Sequence, residues 1–140
     1  MRTKEMSPEE VFIQFSNKMY NWNLMCIELD TDESLGKNEK DKKIYESLNA
    51  IFNEYVTIRK RPYGRQSGYS FKTPPEYNLE TNEILSSTTE GNRAYIEVQE
   101  TVGFKRKLRY TLHKKIDGWR VDKRESYDDV FKHKWEIDSL

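Results

Sequence analysis

The sequence has little that would indicate a metal centre, a disulfide framework or a membrane span. One cysteine and two histidines occur in 140 residues, so no internal disulfide can form. No apolar run approaches the roughly 20 residues that a membrane-spanning helix needs, and the N-terminal stretch lacks the apolar segment of a secretory signal. No metal-ligand cluster, glycine-rich phosphate loop or Ser-His-Asp arrangement is present. We therefore expect a cytoplasmic protein without a metal or other cofactor and without a membrane partner.

The charges also lack an excess of either sign. Lysine and arginine together number 24, aspartate and glutamate also number 24, and the net charge is zero. A nucleic-acid-binding protein usually carries a basic excess, so no nucleic acid is expected as a partner. Hydrophobic residues make up 35% of the chain and aromatic residues 13%, which predicts a ring-rich core. The length predicts a single domain over residues 1–140, with an apolar-containing tail, residues 128–140, docked on it.

Two helices are predicted in the N-terminal half. Ser7 precedes Pro8 and lies three residues before Glu10, which is typical of a capping box with proline at the first helical position. Apolar residues then recur at three- and four-residue spacing over residues 8–29, so one face of this helix is buried. Cys26 lies on that face, which indicates a buried, inert thiol. A second helix with a buried stripe is predicted over residues 38–58.

The C-terminal half predicts an antiparallel meander of four strands. Turns are indicated at Gly91-Asn92, at a three-residue loop around Gly103, and at Asp117-Gly118, the strongest hairpin mark in the chain. The three-residue loop predicts that Ile96 faces Tyr110 and that Glu97 faces Arg109. A two-residue Asp117-Gly118 loop predicts that Tyr110 faces Glu125 on an apolar inner face and places His113 opposite Asp122 as a surface pair. The outer face is then mostly basic, with Lys105, Lys107, Arg109, Lys115, Arg120 and Arg124.

The segment between the helices and the meander, residues 59–80, is irregular and rich in proline, aromatic and basic residues. Its adjacent prolines exclude a central strand or helix there, although residues 68–72 are compatible with a short edge strand. Loops of this composition are common binding surfaces. The alternative is a connector whose aromatic rings cover one end of the core.

Two helices followed by an antiparallel meander predict an α+β fold with the helices on the concave face of a curved sheet. The S-P-E-E-V-F helix start, the R-P-Y-G loop and the final W-R-V-D strand resemble bacterial immunity proteins of the nuclear transport factor 2-like fold, a cystatin-like cone. The resemblance extends over residues 7–127. It implies a small cytoplasmic protein that binds the toxin domain of a polymorphic toxin system and neutralises it by stoichiometric occlusion.

The same fold also hosts enzymes and small-ligand-binding proteins, so an isomerase- or dehydratase-like use of the cone is the alternative. Glu125 opposite Tyr110 would then act as a base beside a phenolic donor, whereas the structural alternative is that these groups satisfy each other at the rim. We favour the structural alternative and predict no catalytic residue. The residues predicted to line the cone are Tyr20, Trp22, Arg106, Tyr110 and Glu125.

Partner contacts are predicted on the irregular segment and on one of two charged surfaces, the basic outer face or an acidic stretch, between which the sequence does not choose. The irregular segment and the basic outer face supply aromatic and arginine side chains, the types that dominate binding energy. If the toxin is a basic nuclease, the acidic stretch Glu28, Asp30, Asp32 and Glu33 is the better contact. The charged outer face also predicts a monomer or a weak homodimer. The candidate partner-binding residues are Tyr63, Arg65, Tyr69, Phe71, Lys107, Arg109, Arg120 and Arg124.

Overall fold

Two helices cover one face of a five-stranded antiparallel sheet in the computed structural model, which describes residues 5–61, 64–66 and 68–140. Tyr63, a predicted partner contact, lies outside the described residues. The α+β architecture predicted from the sequence is confirmed. No helix among the described residues is long and apolar enough to cross a membrane. The elements are α1 (Pro8–Thr31), α2 (Lys37–Tyr55), β1 (Asn82–Glu90), β2 (Arg93–Glu100), β3 (Lys107–Lys115), β4 (Gly118–Asp128) and β5 (Lys134–Asp138).

The start of α1 is fixed by local hydrogen bonds, as predicted. The Glu10 backbone N–H donates to Ser7 Oγ at 3.2 Å, and the Ser7 N–H donates to Glu10 Oε1 at 3.5 Å. The pair satisfies two backbone donors that a helix N-terminus otherwise leaves unpaired. The end of α2 was predicted three residues too late. The chain leaves the helix at Val56, which is extended and bridges Val121 of β4. The Thr57 N–H donates to the Val121 carbonyl at 2.9 Å, so two β-branched residues join the sheet edge here.

Contacts between aromatic rings contribute to the core between α1 and the sheet. The ring centroids of Phe12 and Tyr110 are 4.7 Å apart, and those of Phe15 and Tyr77 are 5.5 Å apart in an edge-to-face arrangement. Cys26 is buried on the same helix face, which confirms the buried position predicted for the thiol. Burial raises the pKa of this thiol to about 12, against a smaller opposing effect of Arg65. The thiol is therefore protonated at neutral pH.

The turn between β1 and β2 and the register between β2 and β3 are as predicted. Glu90 pairs with Arg93 across the Gly91-Asn92 turn, and Ile96 pairs with Tyr110. The loop between β2 and β3 is longer than predicted. Its last pairing is closed by the Glu100 N–H, which donates to the Arg106 carbonyl at 2.9 Å, whereas Thr101 turns away and donates to the Thr81 carbonyl.

The predicted register between β3 and β4 is wrong. Lys115 pairs with Gly118, so Ile116 and Asp117 form the two-residue loop, and Gly118 follows it at φ 114°. This register places Val121 opposite the buried Leu112. The predicted register would have placed Lys123 opposite Leu112. Glycine at Gly118 meets the backbone requirement without side-chain strain.

A bulge between Thr111 and Leu112 then shifts the remaining β3–β4 pairs by one residue. Tyr110 pairs with Arg124 and Arg109 pairs with Glu125, so the β4 side chains beyond the bulge lie on faces opposite to those predicted. Arg124 is buried on the inner side and is not part of the outer basic face. Glu125 lies on the outer face and does not line the cone.

A fifth strand, β5, extends the predicted four-stranded meander. It pairs antiparallel with β4, with Tyr127 opposite Trp135 and Glu125 opposite Ile137. The turn between them is held by Asp128, whose carboxylate accepts hydrogen bonds from three backbone N–H groups over residues 130–132.

The irregular segment contains no strand at residues 68–72, so that prediction is wrong. Instead of a neighbouring strand, the side chain of Asn23 forms hydrogen bonds with the backbone of this segment. Its Nδ2 donates to the Lys72 carbonyl at 2.8 Å, and its Oδ1 accepts from the Lys72 N–H at 3.1 Å. Tyr69 is held in turn by its hydroxyl, which donates to Asp41 Oδ1 at 2.8 Å. The segment is therefore tied to the helices by side chains.

Candidate functional site

A buried group of charges joins the irregular segment to the inner face of the sheet; we call it the Glu76 cluster, formed by Glu76, Arg65, Arg106, Arg124 and Asp138. Arg65 Nη2 lies 2.6 Å from Glu76 Oε1, and Arg124 Nη1 lies 3.2 Å from Glu76 Oε2. Asp138 of β5 contacts Arg106 at 3.0 Å and Arg124 at 3.2 Å. A carboxylate and two guanidinium groups are thus buried together, each with an oppositely charged partner.

The electrostatics of this cluster are dominated by cations. Burial raises the pKa of Glu76, but the positive charges of Arg65, Arg124, Lys72 and Arg106 together outweigh this effect and hold the pKa at about 2. Glu76 is consequently ionised at neutral pH. A carboxylate with so low a pKa is a weak general base, so the geometry favours a structural role for it.

The residues predicted to line the cone are not brought together. Tyr110 is packed against the rings of Phe12 and Tyr77, and burial raises the pKa of its phenol. Glu125 lies on the opposite sheet face, where Arg109 Nη2 is 3.2 Å from its Oε1. The base and phenol of the isomerase-like alternative therefore do not meet.

The remaining predicted cone residues have other positions. Trp22 is buried and donates its Nε1–H to the Ile44 carbonyl at 3.0 Å, joining α1 to α2. Tyr20 is partly buried at the edge of the core. Arg106 belongs to the Glu76 cluster, with its Nε 2.9 Å from Glu100 Oε1.

The predicted partner-binding residues divide by location. Arg65 is buried, while Tyr69 and Phe71 are partly buried against the core. Arg120 ties the end of α2 to β4, because its Nη1 donates to the Asn53 and Val56 carbonyls at 2.8 and 2.9 Å.

Lys107 and Arg109 of β3 lie on the outer face beside aromatic residues of β4 and β5; we call this the outer-face cluster, formed by Lys107, Arg109, Tyr127, Trp135 and Ile137. The Arg109 guanidinium carbon lies 4.3 Å from the Trp135 ring centroid, and the Tyr127 ring lies 5.3 Å from it. Lys107 Nζ is 5.9 Å from the same ring. Ile137 is 74% exposed. The surface combines aromatic, aliphatic and guanidinium groups.

Sequence reasoning missed the place of Trp135 and Ile137 in this cluster. The signal was present as an alternation of apolar and charged residues in K-W-E-I-D, which is typical of a strand with one side exposed to a neighbouring surface. The short length of the run, and its position after a turn that is rich in charge, obscured it.

A pocket of about 510 Å³ opens beside β5, between residues 59–61 and 64–66 and the ends of β4 and β5. We call it the basic pocket, because the charged side chains that line it, among the described residues, are five cationic groups and one acidic group. These residues are Arg59, Arg61, Arg65, Lys123, Arg124 and Asp138. No group of three or more metal-ligating side chains is found among the described residues.

The comparisons with known proteins agree on one family. Residues 7–139 match the family model described as "NTF2 fold immunity protein". The chain is also 32% identical over 133 residues to the "Immunity protein RhsIA" of Dickeya dadantii strain 3937, a match that covers 95% of this chain and 96% of the relative. No solved structure gave a significant match.

Proposed function

Since this chain belongs to the NTF2 fold immunity protein family, we propose that it binds one cognate toxin domain and neutralises it by stoichiometric occlusion. The resemblance read from the sequence is thereby confirmed, and the function is that of a toxin-neutralising immunity protein. The mechanism goes beyond family membership. The protein would act in the cytoplasm, as a monomer or weak homodimer, and would need neither nucleic acid nor membrane.

The observation that carries the proposed mechanism is the outer-face cluster. Tryptophan, tyrosine and arginine are the side chains that most often dominate the energy of a protein interface. Here the Trp135 ring already contacts both Arg109 and Tyr127 in the unbound protein. A pre-ordered side chain loses less conformational entropy on binding. This supports the cluster as the toxin contact.

The packing inside the fold supports a surface mechanism over a ligand in the cone. The rings of Phe12, Phe15, Tyr77 and Tyr110 pack on one another where an enzyme of this fold would hold a substrate. Binding at the outer sheet face leaves that core undisturbed. Protection should therefore require no turnover by the immunity protein.

The test is co-purification and growth rescue with the toxin domain encoded beside this protein. We expect the wild-type protein to form a complex and to abolish toxin activity at an equimolar ratio. The double variant Arg109→Ala, Trp135→Ala should bind at least about 100-fold more weakly, since two central side chains are removed. Ile116→Ala is the control, because Ile116 is an exposed apolar side chain in the β3–β4 loop, at the other end of β3 from Lys107.

Three outcomes would count against parts of the proposal. Failure of the wild-type protein to bind or protect would contradict the function, and full protection at far less than equimolar amounts would indicate catalysis. If the double variant bound the toxin domain as tightly as the wild-type protein, the toxin contact would lie outside the outer-face cluster. Loss of binding in Asp30→Asn, Glu33→Gln would then assign it to the acidic stretch at the end of α1.

A further inference from the structure

We propose that the basic pocket is an oxyanion site that receives an acidic side chain of the toxin. This inference rests on the proposed function, which it extends by naming a second contact and its chemistry. The outer-face cluster would supply aromatic contact area, and the basic pocket would supply charge recognition.

The first observation is a local imbalance of charge. The whole chain has 24 basic and 24 acidic residues, yet five cationic side chains and one acidic side chain, Asp138, line the basic pocket in the described part of the chain. A concave surface lined by one sign of charge focuses the electrostatic potential and attracts a ligand of the opposite sign. Carboxylates are the natural protein partners of arginine, because both groups are planar and pair through two hydrogen bonds.

The second observation is that two arginines at the pocket contact the same residue, Asp122, one through its carboxylate and one through its backbone carbonyl. Arg59 Nε lies 3.2 Å from Asp122 Oδ1, and Arg61 Nη1 donates to the Asp122 carbonyl at 2.9 Å. The same carboxylate also accepts a hydrogen bond of 2.6 Å from Thr57. Burial lowers the pKa of Arg61, and the charge of Arg59 lowers it further. An anion in the pocket would favour the charged form of both arginines.

The third observation is that Arg124, at the inner wall of the pocket, is held in place by buried contacts. Arg124 is 4% exposed and is held by Glu76 and by the Ser139 carbonyl. Its Nε also lies 3.2 Å from Asp138 Oδ2 in an ion pair. Because the guanidinium is fixed by other contacts, an arriving carboxylate would not have to order it.

The pocket is continuous with the outer-face cluster, which favours a protein side chain over a free anion as its occupant. Ile137 belongs to the cluster and also lines the pocket. Lys123 lines the pocket as well, and its Nζ lies 3.9 Å from Glu125 on the outer face. A toxin seated on Trp135 would therefore extend over the pocket mouth.

The test compares two double variants that remove the same charge. Arg59→Gln, Lys123→Gln removes two partly exposed cations of the pocket, and Lys18→Gln, Lys42→Gln removes two exposed cations of the helices. Toxin affinity is measured by calorimetry at low and high salt. We expect the pocket variant to bind at least about tenfold more weakly, with a reduced salt dependence, and the helix variant to stay within about twofold of wild type.

The outcomes separate this inference from the proposed function. If the wild-type protein binds the toxin and the two double variants bind equally well, the pocket is not a contact and only this inference fails. If the wild-type protein does not bind, both fail. Inorganic phosphate that stabilises the wild-type protein but not the pocket variant, with toxin affinity unchanged in both, would make the pocket a small-anion site and overturn the assignment to the toxin.

Discussion

Glu76 shows how one side chain can fix a segment that has no regular structure. It comes from the irregular segment and lies between Arg65 of the same segment and Arg124 of β4. A buried ion pair contributes little net stability when compared with apolar residues of the same size. Removal of one partner is different, because the remaining charges stay buried without compensation.

We expect Glu76→Gln to lower the free energy of unfolding by about 3–5 kcal/mol, since two buried guanidinium groups would lose their shared carboxylate. Urea unfolding at neutral pH measures the change. Glu80→Gln is the matched control, because Glu80 is an exposed acid in the same segment, and it should cost no more than about 0.5 kcal/mol. Equal effects of the two substitutions would show that the cluster does not depend on the charge of Glu76.

At the scale of elements, helix ends and strand registers could be predicted from the sequence where they depend on residues close together in the chain. The capping residues Ser7 and Glu10 are three positions apart, and the pairing of Ile96 with Tyr110 follows from one short loop. The β3–β4 register depends on a bulge and on a buried Arg124 whose counter-ion is 48 positions away in the chain. Periodicity carries no information on such a pair, so Arg124 was predicted on the wrong face.

The observed register makes a prediction for the outer face. Arg109 lies opposite Glu125, whereas an Asp117-Gly118 loop would place it opposite Ser126. A double-mutant cycle on Arg109→Ala and Glu125→Ala should give a coupling free energy of about 0.5–1 kcal/mol, as is usual for a partly exposed cross-strand charge pair. The control cycle on Arg109→Ala and Ser126→Ala should give none. A coupling free energy between Arg109 and Ser126, with none between Arg109 and Glu125, would support the register predicted from the sequence instead.

At the scale of the whole molecule, the fold and family were readable from the sequence, but the candidate site was not. The S-P-E-E-V-F helix start, the R-P-Y-G loop and the W-R-V-D strand were enough to indicate the family. The outer-face cluster brings Arg109 of β3 beside Trp135 of β5, and the basic pocket is lined by both Arg59 and Asp138. Each depends on β5, which the sequence did not predict as a strand. The site therefore followed only from the complete sheet order.

Carboxylates whose pKa is lowered by nearby cations also determine how stable the folded protein is at acid pH. The pKa of Glu76 falls from 4.5 to about 2 on folding. Burial raises the pKa of Asp122, but hydrogen bonds from Thr57 and the charges of His113 and Arg59 lower it overall. A carboxylate whose pKa is lower in the folded state contributes stability above its unfolded pKa. That contribution is lost as the pH falls toward the folded pKa.

For Glu76 the sign and size of this effect can be tested by comparing wild type with Glu76→Gln across pH. A shift from 4.5 to about 2 corresponds to about 3 kcal/mol of stability that is present above the upper value and lost as the pH approaches the lower one. The difference in unfolding free energy between the two proteins should therefore be constant from about pH 7 to about pH 5 and should narrow by about 3 kcal/mol on further acidification toward about pH 2. Urea titrations at several pH values measure it. A difference that does not change with pH would mean that Glu76 gains nothing from its charge in the folded state, because glutamine cannot titrate and the wild-type carboxylate would then have the same pKa folded and unfolded.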